Sequence, residues 1–163
     1  MVVRKATRGD APRVAAIYNE GIEDRSATFE TTLRSPGDVM NWLVDEYPVL
    51  IAELDGEVVG FARIGEYSDR CVYEGVGEHA VYVGRAARGK GVGRTLLEAL
   101  VEEAARRGYY KLTSRIFTEN EASLAAHRGA GFVTVGIQRR HGRLDGEWKD
   151  CVLVERLVGE AAD

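Results

Sequence analysis

The segment 88-RGKGVGRTLLEAL-100 holds three alternating glycines and three cationic residues, and then continues into an apolar pattern with helical spacing. Glycines that alternate directly before a helix let the backbone approach a bound group closely. The free amides of a helix N-terminus and its dipole, worth about half a positive charge, favour an anion at that point. The segment therefore predicts a turn into a helix that binds an anion through amides 89–94, with Arg88, Lys90 and Arg94 adding charge.

Other interpretations of the glycine segment are weaker or less specific. Gly84 and the pair Gly89-Lys90 have the spacing of a nucleotide P-loop, but Gly91 stands where that motif needs a hydroxyl for magnesium. The G-x-G-x-G spacing also differs from the G-x-G-x-x-G of dinucleotide-binding folds. A metal-free pyrophosphate site remains, together with a solvated loop in which the glycines only confer flexibility.

The hydrophobic pattern on both sides of the segment predicts the element order β-α-α-β-β-β-α-β-α-β-β. Strands are expected at 2–7, in a hairpin over 49–65 that turns at Asp55-Gly56, and at 78–83, 110–117, 132–138 and 148–158. Helices are expected after a cap at Asp10, over 35–47, from the glycine segment to Gly108, and over 120–131. The third helix should bury Leu96, Leu97, Leu100, Val101, Ala104 and Ala105.

Composition narrows the possible partners. The chain has 163 residues, 45% hydrophobic and 29% charged, as in an ordinary soluble globular protein. A net charge of -4 argues against a nucleic-acid partner, and no apolar run reaches the length of a membrane span. The two cysteines and three histidines are scattered, so we expect reduced thiols, a cytoplasmic location and no metal site.

Two motifs, one after the other along the chain, resemble those of a known family. Arg88-x-x-Gly91-x-Gly93, between a strand and a long helix, resembles the acetyl-CoA pyrophosphate motif of the GCN5-related N-acetyltransferases (GNAT). Asn120-x-x-Ser123, followed by His127, resembles the second coenzyme A segment of that family. The resemblance implies a single α/β domain with a mixed, mostly antiparallel twisted sheet, flanking helices and splayed central strands. Its core would span about 3–158, with 159–163 as a frayed tail.

A narrower resemblance concerns the phosphinothricin N-acetyltransferase branch. It rests on the segments 17-IYNEGIEDRSATFET-31, 70-RCVYEGVGEHAVYV-83 and 145-DGEWKD-150. Enzymes of that branch acetylate the amine of glutamate-like amino acids, including phosphinothricin and methionine sulfoximine. The resemblance implies a homodimer and acetyl-CoA as cosubstrate, with no metal.

The family's cofactor-binding residues transfer onto matching positions of this chain. They are Val81, Tyr82, Val83, Arg88, Gly89, Lys90, Gly91, Val92, Gly93, Arg94, Asn120 and Ser123. In the family, the amides of the strand at 81–83 polarise the acetyl carbonyl, which is a preorganised donor of the oxyanion-hole type.

The resemblance also implies the catalytic residues. Glu78 stands at the family's general-base position, with Glu74 as the rival base nearby. His127 stands where many members carry a tyrosine that protonates the leaving thiolate; it can act as that acid, or pack idly on its helix. Neither cysteine has the setting of a nucleophile, so direct attack is expected.

Substrate contacts are implied at four positions. Arg70 and Tyr73 match the branch's contacts with the acidic end of the substrate, and Phe29 and Glu30 would line the entrance. Trp148 is expected near the active site, at a dimer seam or in the core.

Three alternatives for the function stay open. Glu74 stands where many branch members have a basic residue, so with Glu78 it would suit a polyamine. Acetylation of a protein N-terminus is a second alternative. A non-catalytic acyl-CoA sensor with the same fold is a third.

Overall fold

A computed structural model describes residues 1–162, and Asp163 lies outside the described residues. The predicted order of strands and helices is confirmed. The strands are β1 (Val2–Lys5), β2 (Val49–Leu54), β3 (Glu57–Glu66), β4 (Val76–Val83), β5 (Lys111–Phe117), β6 (Val133–Leu144) and β7 (Glu147–Leu157). The helices are α1 (Ala11–Asp24), α2 (Pro36–Leu43), α3 (Val92–Arg106) and α4 (Glu121–Gly129). Within the described residues, no helix is long and apolar enough to cross a membrane.

The seven strands form one sheet in the order β1-β2-β3-β4-β5-β7-β6. Every neighbouring pair is antiparallel except β4 and β5, which run parallel. This parallel pair joins only Val76–Glu78 to Lys111–Thr113, and beyond these residues the two strands separate. The splayed central strands that the sequence predicted are therefore confirmed, and the gap opens directly after Glu78.

Helices cover both faces of the sheet and bury one apolar layer on each. The layer beneath α3 includes the fully buried Leu96, Leu97 and Leu100. The opposite layer joins α1 and α2 to the sheet through residues such as Ile17 and Phe61. Burying each such side chain stabilises the fold by about 1.5–3 kcal/mol relative to leaving it exposed.

Two predicted details of the helices are wrong. Ala105 is exposed, and Glu103 is buried instead, bonded to Arg106 at 2.6 Å and to Arg107 at 3.0 Å. The hydrogen bond from Arg106 lowers the pKa of Glu103, which keeps the buried carboxylate charged. The second helix ends at Leu43, before the predicted 47, and Tyr47 itself directly precedes Pro48, which disfavours helical backbone there.

Asp10 precedes α1 as predicted, but it does not cap that helix with its side chain. Its carboxylate instead accepts from the backbone of Thr7 at 2.7 Å and from Arg4 at 2.8 Å. The Arg4 hydrogen bond lowers the pKa of Asp10. The residue therefore ties β1 to the start of α1.

The C-terminal hairpin is longer than predicted. The polar residues expected as a loop belong to β6, which continues to Leu144 and turns at Asp145-Gly146. The register shifts between Gln138 and Gly142, so a bulge interrupts the hydrophobic alternation that marked the strand. In the segment predicted as a tail, Gly159–Ala161 form a short 3-10 turn behind the buried Val158.

Candidate active site

The gap between β4 and β5 opens into a cleft of about 70 Å³. Its lining comes from β4, β5, α4 with its N-cap, and the loop after α1: Ala27, Ala80, Val81, Tyr82, Ser114, Arg115, Ile116, Asn120, Ser123 and His127. The amide of Gly84 bonds to the carbonyl of Val59 on β3. Because bonding direction alternates along a strand, Val81 and Val83 direct their amides towards the gap. The cleft thus offers backbone donors to a bound group.

A second cavity of about 240 Å³ lies beside this cleft. It is lined by Tyr67, Tyr73, Val76, Glu78, Lys111, Thr113, Ser114, Arg115, Gln138, Leu153 and Glu155. The lining carries acids and cations together with two aromatic rings. Ser114 and Arg115 line both cavities, so the two spaces meet at these residues.

Glu78 lies at the mouth of the gap and faces the larger cavity. Its side chain is 44% exposed, and its Oε1 lies 3.8 Å from Nη1 of Arg115. Glu74, the rival base, ends the turn Cys71–Tyr73, is exposed and does not line either cavity. The geometry therefore favours Glu78 as the carboxylate that a substrate amine can reach.

His127 is buried against a second histidine. Its Nε2 lies 2.9 Å from Nε2 of His79, and its Nδ1 lies 2.8 Å from the carbonyl oxygen of Ser123. Both histidines are 3% exposed, and Phe132 packs against both rings. The pair lies on the α3 and α4 face of β4, opposite to the face that carries Glu78.

The hydrogen bonds fix the protons of this pair. A carbonyl oxygen only accepts, so Nδ1 of His127 carries a proton. The Nε2 of a neutral His127 is then bare and accepts from Nε2 of His79. By distance and angle, Nδ1 of His79 has no hydrogen-bond partner, although the Thr113 backbone near this ring opposes the lowering of its pKa. In the neutral pair, His127 therefore has no Nε2 proton to donate.

Burial sets the charge of both histidines. It lowers the pKa of His79 well below its ordinary value, and the neighbouring His127 lowers it further. Burial also lowers the pKa of His127, although the bond to the Ser123 carbonyl opposes this. Both rings are accordingly neutral at pH 7.

The glycine segment forms the turn that the sequence predicted. Gly89 and Gly91 have φ of 79° and 80°, the left-handed region that favours glycine. A Cβ at either position would meet no heavy atom within 4 Å, so the outer side of the turn is open. Gly91 is the N-cap of α3 and has no side chain to bond the first amides. These donors are therefore available to an anion.

The three cations of this segment differ in their partners. Arg88 donates to the carbonyl of Val83 at 3.1 Å and to Asp24 at 2.7 Å. Arg94 bonds to Glu98 at 2.7 Å, on the exposed side of α3. Lys90 is exposed. Arg88 therefore fastens the turn to α1, which the sequence did not predict.

Asn120 and Ser123 belong to the cap of α4. The side chain of Asn120 accepts from the amide of Ser123 at 3.2 Å, and both residues line the small cleft. Tyr82, on the other face of β4, stacks on Phe61 and Tyr18, and burial raises its pKa. Tyr82 is thus held as a neutral phenol.

The predicted substrate contacts are not all brought together. Tyr73 lines the larger cavity, whereas Arg70 lies outside its lining, with its guanidinium 5.4 Å from the Tyr73 ring centroid. Phe29 packs on Phe117 with ring centroids 4.8 Å apart, and Glu30 pairs with Arg34 at 3.0 Å. Neither Phe29 nor Glu30 lines the cleft or the larger cavity.

The structure also shows the surroundings of Trp148 and of the two cysteines. Trp148 is not core, because it is 49% exposed, with the Arg143 guanidinium 4.2 Å from its ring centroid. Cys71 and Cys151 are both free, as predicted. Within residues 1–162, no group of three or more His, Cys, Asp or Glu side chains is arranged to hold a metal ion.

The family is decided by comparison with known proteins. The model of the Acetyltransferase (GNAT) family matches residues 14–132, which include the splayed strand, the glycine turn and α4. The chain belongs to the GNAT family. It is accordingly an acetyltransferase, as the motifs around Gly91 and Asn120 predicted.

Relatives with named activities resemble this acetyltransferase over most of its length. It is 34% identical to the L-methionine sulfoximine/L-methionine sulfone acetyltransferase of Pseudomonas aeruginosa, covering 94% of this chain and 92% of the relative. It is also 34% identical to the phosphinothricin N-acetyltransferase of Alcaligenes faecalis, covering 94% and 81%.

Solved structures of the family superimpose closely on this acetyltransferase. The ribosomal-protein-alanine N-acetyltransferase of Brucella melitensis matches with a TM-score of 0.92 and 37% identity, over 97% of this chain and 100% of that one. The yncA protein of Salmonella typhimurium, solved with its cofactor acetyl-CoA, matches with a TM-score of 0.92 and 30% identity, over 99% of this chain and 96% of that one.

Sequence reasoning missed three residues of the site. His79 was treated as one of three scattered histidines, although it directly follows Glu78. Arg115 and Gln138 lie in the predicted strands 110–117 and 132–138, and no role was predicted for either. An arginine in the β-rich run 111–117 was the available signal, because a charged side chain in such a run must face solvent or a cavity. Nothing in the sequence pairs Arg115 with Glu78.

Proposed function

We propose that this protein transfers the acetyl group of acetyl-CoA to the α-amine of a small amino acid analogue similar to phosphinothricin or methionine sulfoximine. One observation carries the proposal. The strands β4 and β5 part directly after Glu78, so its carboxylate lies where a charged cavity meets a cleft with free backbone amides. The named activities of the relatives from Pseudomonas and Alcaligenes support the substrate class.

The chain has the features that acetyl-CoA binding requires. The open turn at Gly89 and Gly91, with the free amides that follow, suits a pyrophosphate. The cleft between β4 and β5 suits the pantetheine arm, with Asn120 and Ser123 on its wall. Acetyl-CoA supplies the acetyl thioester, and this chain's residues orient it and handle the protons.

Glu78 is proposed as the general base. The amine of a free amino acid is mostly protonated at pH 7, so its nitrogen has a lone pair for attack only after a proton leaves. Glu78 takes that proton and the nitrogen bonds to the acetyl carbon. The carbon–sulfur bond then breaks, and the coenzyme A thiolate leaves and takes up, through solvent, the second proton that the nitrogen loses on becoming an amide. The amides of Val81 and Val83 are proposed to stabilise the negative oxygen during this step.

For His127 we propose a positioning role at neutral pH. Its Nε2 accepts from His79 in the neutral pair, so donation to the departing thiolate needs a pair that has taken up one more proton. Burial disfavours that proton. If His127 is nevertheless the acid, the loss of kcat in His127→Ala is largest at low pH, where the pair is protonated, and fades as pH rises. A loss that does not vary with pH indicates positioning.

The charges of the larger cavity favour an amino acid over a polyamine. Glu78 and Glu155 are balanced there by Arg115 and Lys111, and Lys111 bonds to Glu155 at 3.1 Å. A polyamine carries only positive charge and would meet both cations. Tyr73 is proposed to contact the substrate side chain. Arg70 can reach an anionic substrate group only by leaving the Tyr73 ring.

The test is thiol release from acetyl-CoA with a panel of amines, with products identified by mass spectrometry. The panel holds phosphinothricin, methionine sulfoximine, methionine sulfone, glutamate, spermidine and a peptide with N-terminal alanine. Saturable release with the first three supports the proposal. Release only with spermidine or the peptide overturns the substrate class, and tight acetyl-CoA binding without any release indicates a sensor.

A homodimer and a cytoplasmic location stay predictions of the family resemblance. The edge strand β6 exposes Val133, Val135 and Ile137, an arrangement that a second copy of the chain could cover. Analytical ultracentrifugation of the protein and of Ile137→Lys tests the dimer. A monomeric wild-type protein at micromolar concentration contradicts it.

A further inference from the structure

Arg115 occupies the junction of the two cavities of the site. It lines the larger cavity with Glu78 and the smaller cleft with Val81 and His127. Its side chain is 38% exposed, so it borders open space and is not buried in the core. An acetyl acceptor that reaches from the larger cavity to the cleft has to pass this guanidinium.

Gln138 fixes the orientation of Arg115. The Nε of Arg115 donates to Oε1 of Gln138 at 3.0 Å, across the sheet from β5 to β6. Nη1 lies 3.8 Å from Glu78, beyond ordinary hydrogen-bond distance. Among residues 1–162, no other side chain bonds to this guanidinium. The Nη groups are therefore held in place and remain available for an acceptor.

The other cations near the cavity are already engaged. Lys111 bonds to Glu155 at 3.1 Å, and both side chains are about 30% exposed. Arg70 lies outside the cavity lining, against the ring of Tyr73. Arg115 is therefore the cation of this cavity that is best placed to bind an anionic ligand group.

An α-amino acid carries opposite charges on one carbon, a carboxylate and an ammonium. The pair of Arg115 and Glu78 offers the matching charges side by side, and a half-exposed pair at 3.8 Å gains little from its mutual attraction. A guanidinium binds a carboxylate with two parallel hydrogen bonds, which also fixes its orientation. A zwitterion inserted between the two side chains would thus replace one weak contact with two stronger ones.

We propose that Arg115 binds the α-carboxylate of the substrate and so presents the α-amine to Glu78. The proposal rests on the proposed function and sharpens it, because it restricts the acceptors to amines with a free carboxylate on the neighbouring carbon. The substrate side chain then extends towards Tyr67 and Tyr73 on the cavity wall. Amino acid amides, simple amines and polyamines lack the group that Arg115 binds.

The experiment compares Arg115→Gln and Arg115→Lys with wild type. Arg139→Gln is the matched control, because Arg139 is an exposed arginine on β6 beside Gln138. Each protein is assayed with the best amino acid of the panel, with its α-amide, and with the amine that lacks the α-carboxylate. Thermal unfolding and the KM for acetyl-CoA report whether each variant is folded and binds the cosubstrate.

We expect Arg115→Gln to raise the KM for the amino acid about 10- to 100-fold, the loss typical of a hydrogen bond to a charged group. For the amide and the simple amine, kcat/KM should stay within about two-fold. Arg115→Lys should fall between wild type and Arg115→Gln, since an ammonium keeps the charge without the two-point geometry. Arg139→Gln should match wild type.

Equal losses for all three substrates in a folded Arg115→Gln overturn the proposal, because Arg115 would then act on the base or the cleft. No loss for any substrate overturns it as well. If wild type acetylates amino acids and Arg115→Gln has the same KM and kcat, the proposed function stands and only this inference is overturned.

A protein without turnover is tested by calorimetry with methionine sulfone in the presence of coenzyme A. Binding that Arg115→Gln loses and Arg139→Gln keeps supports the inference even if the proposed function fails. No binding to wild type, or equal binding to both variants, overturns it.

Discussion

The two faces of β4 place neighbouring residues in opposite surroundings. Glu78 is 44% exposed and faces a charged cavity, whereas the next residue, His79, is 3% exposed and bonded to His127. Both positions carry a titratable side chain at the same point of the gap. The difference arises because a strand directs successive side chains to opposite faces, and only the face towards α3 and α4 is closed there.

This contrast separates a group that can exchange protons from a pair that is held neutral. Glu78 is open to solvent and to a substrate amine. The Ser123 carbonyl fixes the Nδ1 proton of His127, and both histidine rings are buried. Exposure, and not residue type alone, is thus the reason why we propose proton transfer on the open face.

The largest expected effect is on Glu78. In Glu78→Gln, kcat at pH 7 with the best amino acid should fall by about 100-fold or more, as is typical when a general base is lost. The loss should shrink towards high pH, where the amine loses its proton unaided. Steady-state kinetics from pH 6 to 10 measures this, with acetyl-CoA affinity followed by calorimetry.

Glu102→Gln on the exposed side of α3 is the control for this variant, and Glu74→Gln tests the rival base. Wild-type kcat and pH profile in Glu78→Gln would mean that the open face does not carry the base. A loss of kcat in Glu74→Gln alone would transfer the role to Glu74.

A smaller effect is expected on the closed face. His79→Ala removes the donor to Nε2 of His127 and leaves a cavity beside Phe132, so the free energy of unfolding should fall by about 2 kcal/mol. Urea unfolding at pH 7.5 measures it. The exposed His141→Ala should change stability by less than about 0.5 kcal/mol, and an equal result for both variants contradicts a buried, bonded pair.

The smallest effect is the pH dependence of stability. Both histidines have a lowered pKa in the fold, so below about pH 6.5 the unfolded chain binds protons that the native protein does not. Their contribution to stability is complete above that pH and is lost as the pH falls towards the native pKa values. The slope is at most about 1.4 kcal/mol per pH unit for each histidine.

Urea unfolding between pH 7.5 and 5.5 resolves this slope. His79→Ala should flatten it, and His141→Ala should keep it. The lowered pKa values of Asp10, Asp24 and Glu103 act in the same direction, but their range lies below the range of the histidines, since carboxylates titrate near pH 4. A stability that is constant across this range contradicts the neutral buried pair.

Local patterns in the sequence predicted most of the fold. Alternation, helical spacing and the pair Asp55-Gly56 located the elements, because each depends on neighbours within a few residues. The predictions were wrong at positions whose structure depends on contacts beyond the local pattern. The bulge near Gln138 interrupts the alternation of β6, so the sequence predicted too short a strand. The ion pairs of Glu103 allow this charged residue to be buried, which the helical pattern did not predict.

The sequence alone predicted the glycine turn before α3, since it follows from a short motif with fixed spacing. Two such motifs also carried the resemblance to the family, and the resemblance in turn implied the candidates Glu78 and His127. Only the tertiary structure decided which groups meet. It joined His79 to His127 from 48 residues away, and it placed Arg115 of β5 beside Glu78 of β4. Such pairings depend on how strands register and diverge across the sheet, and no local pattern along the chain records that geometry.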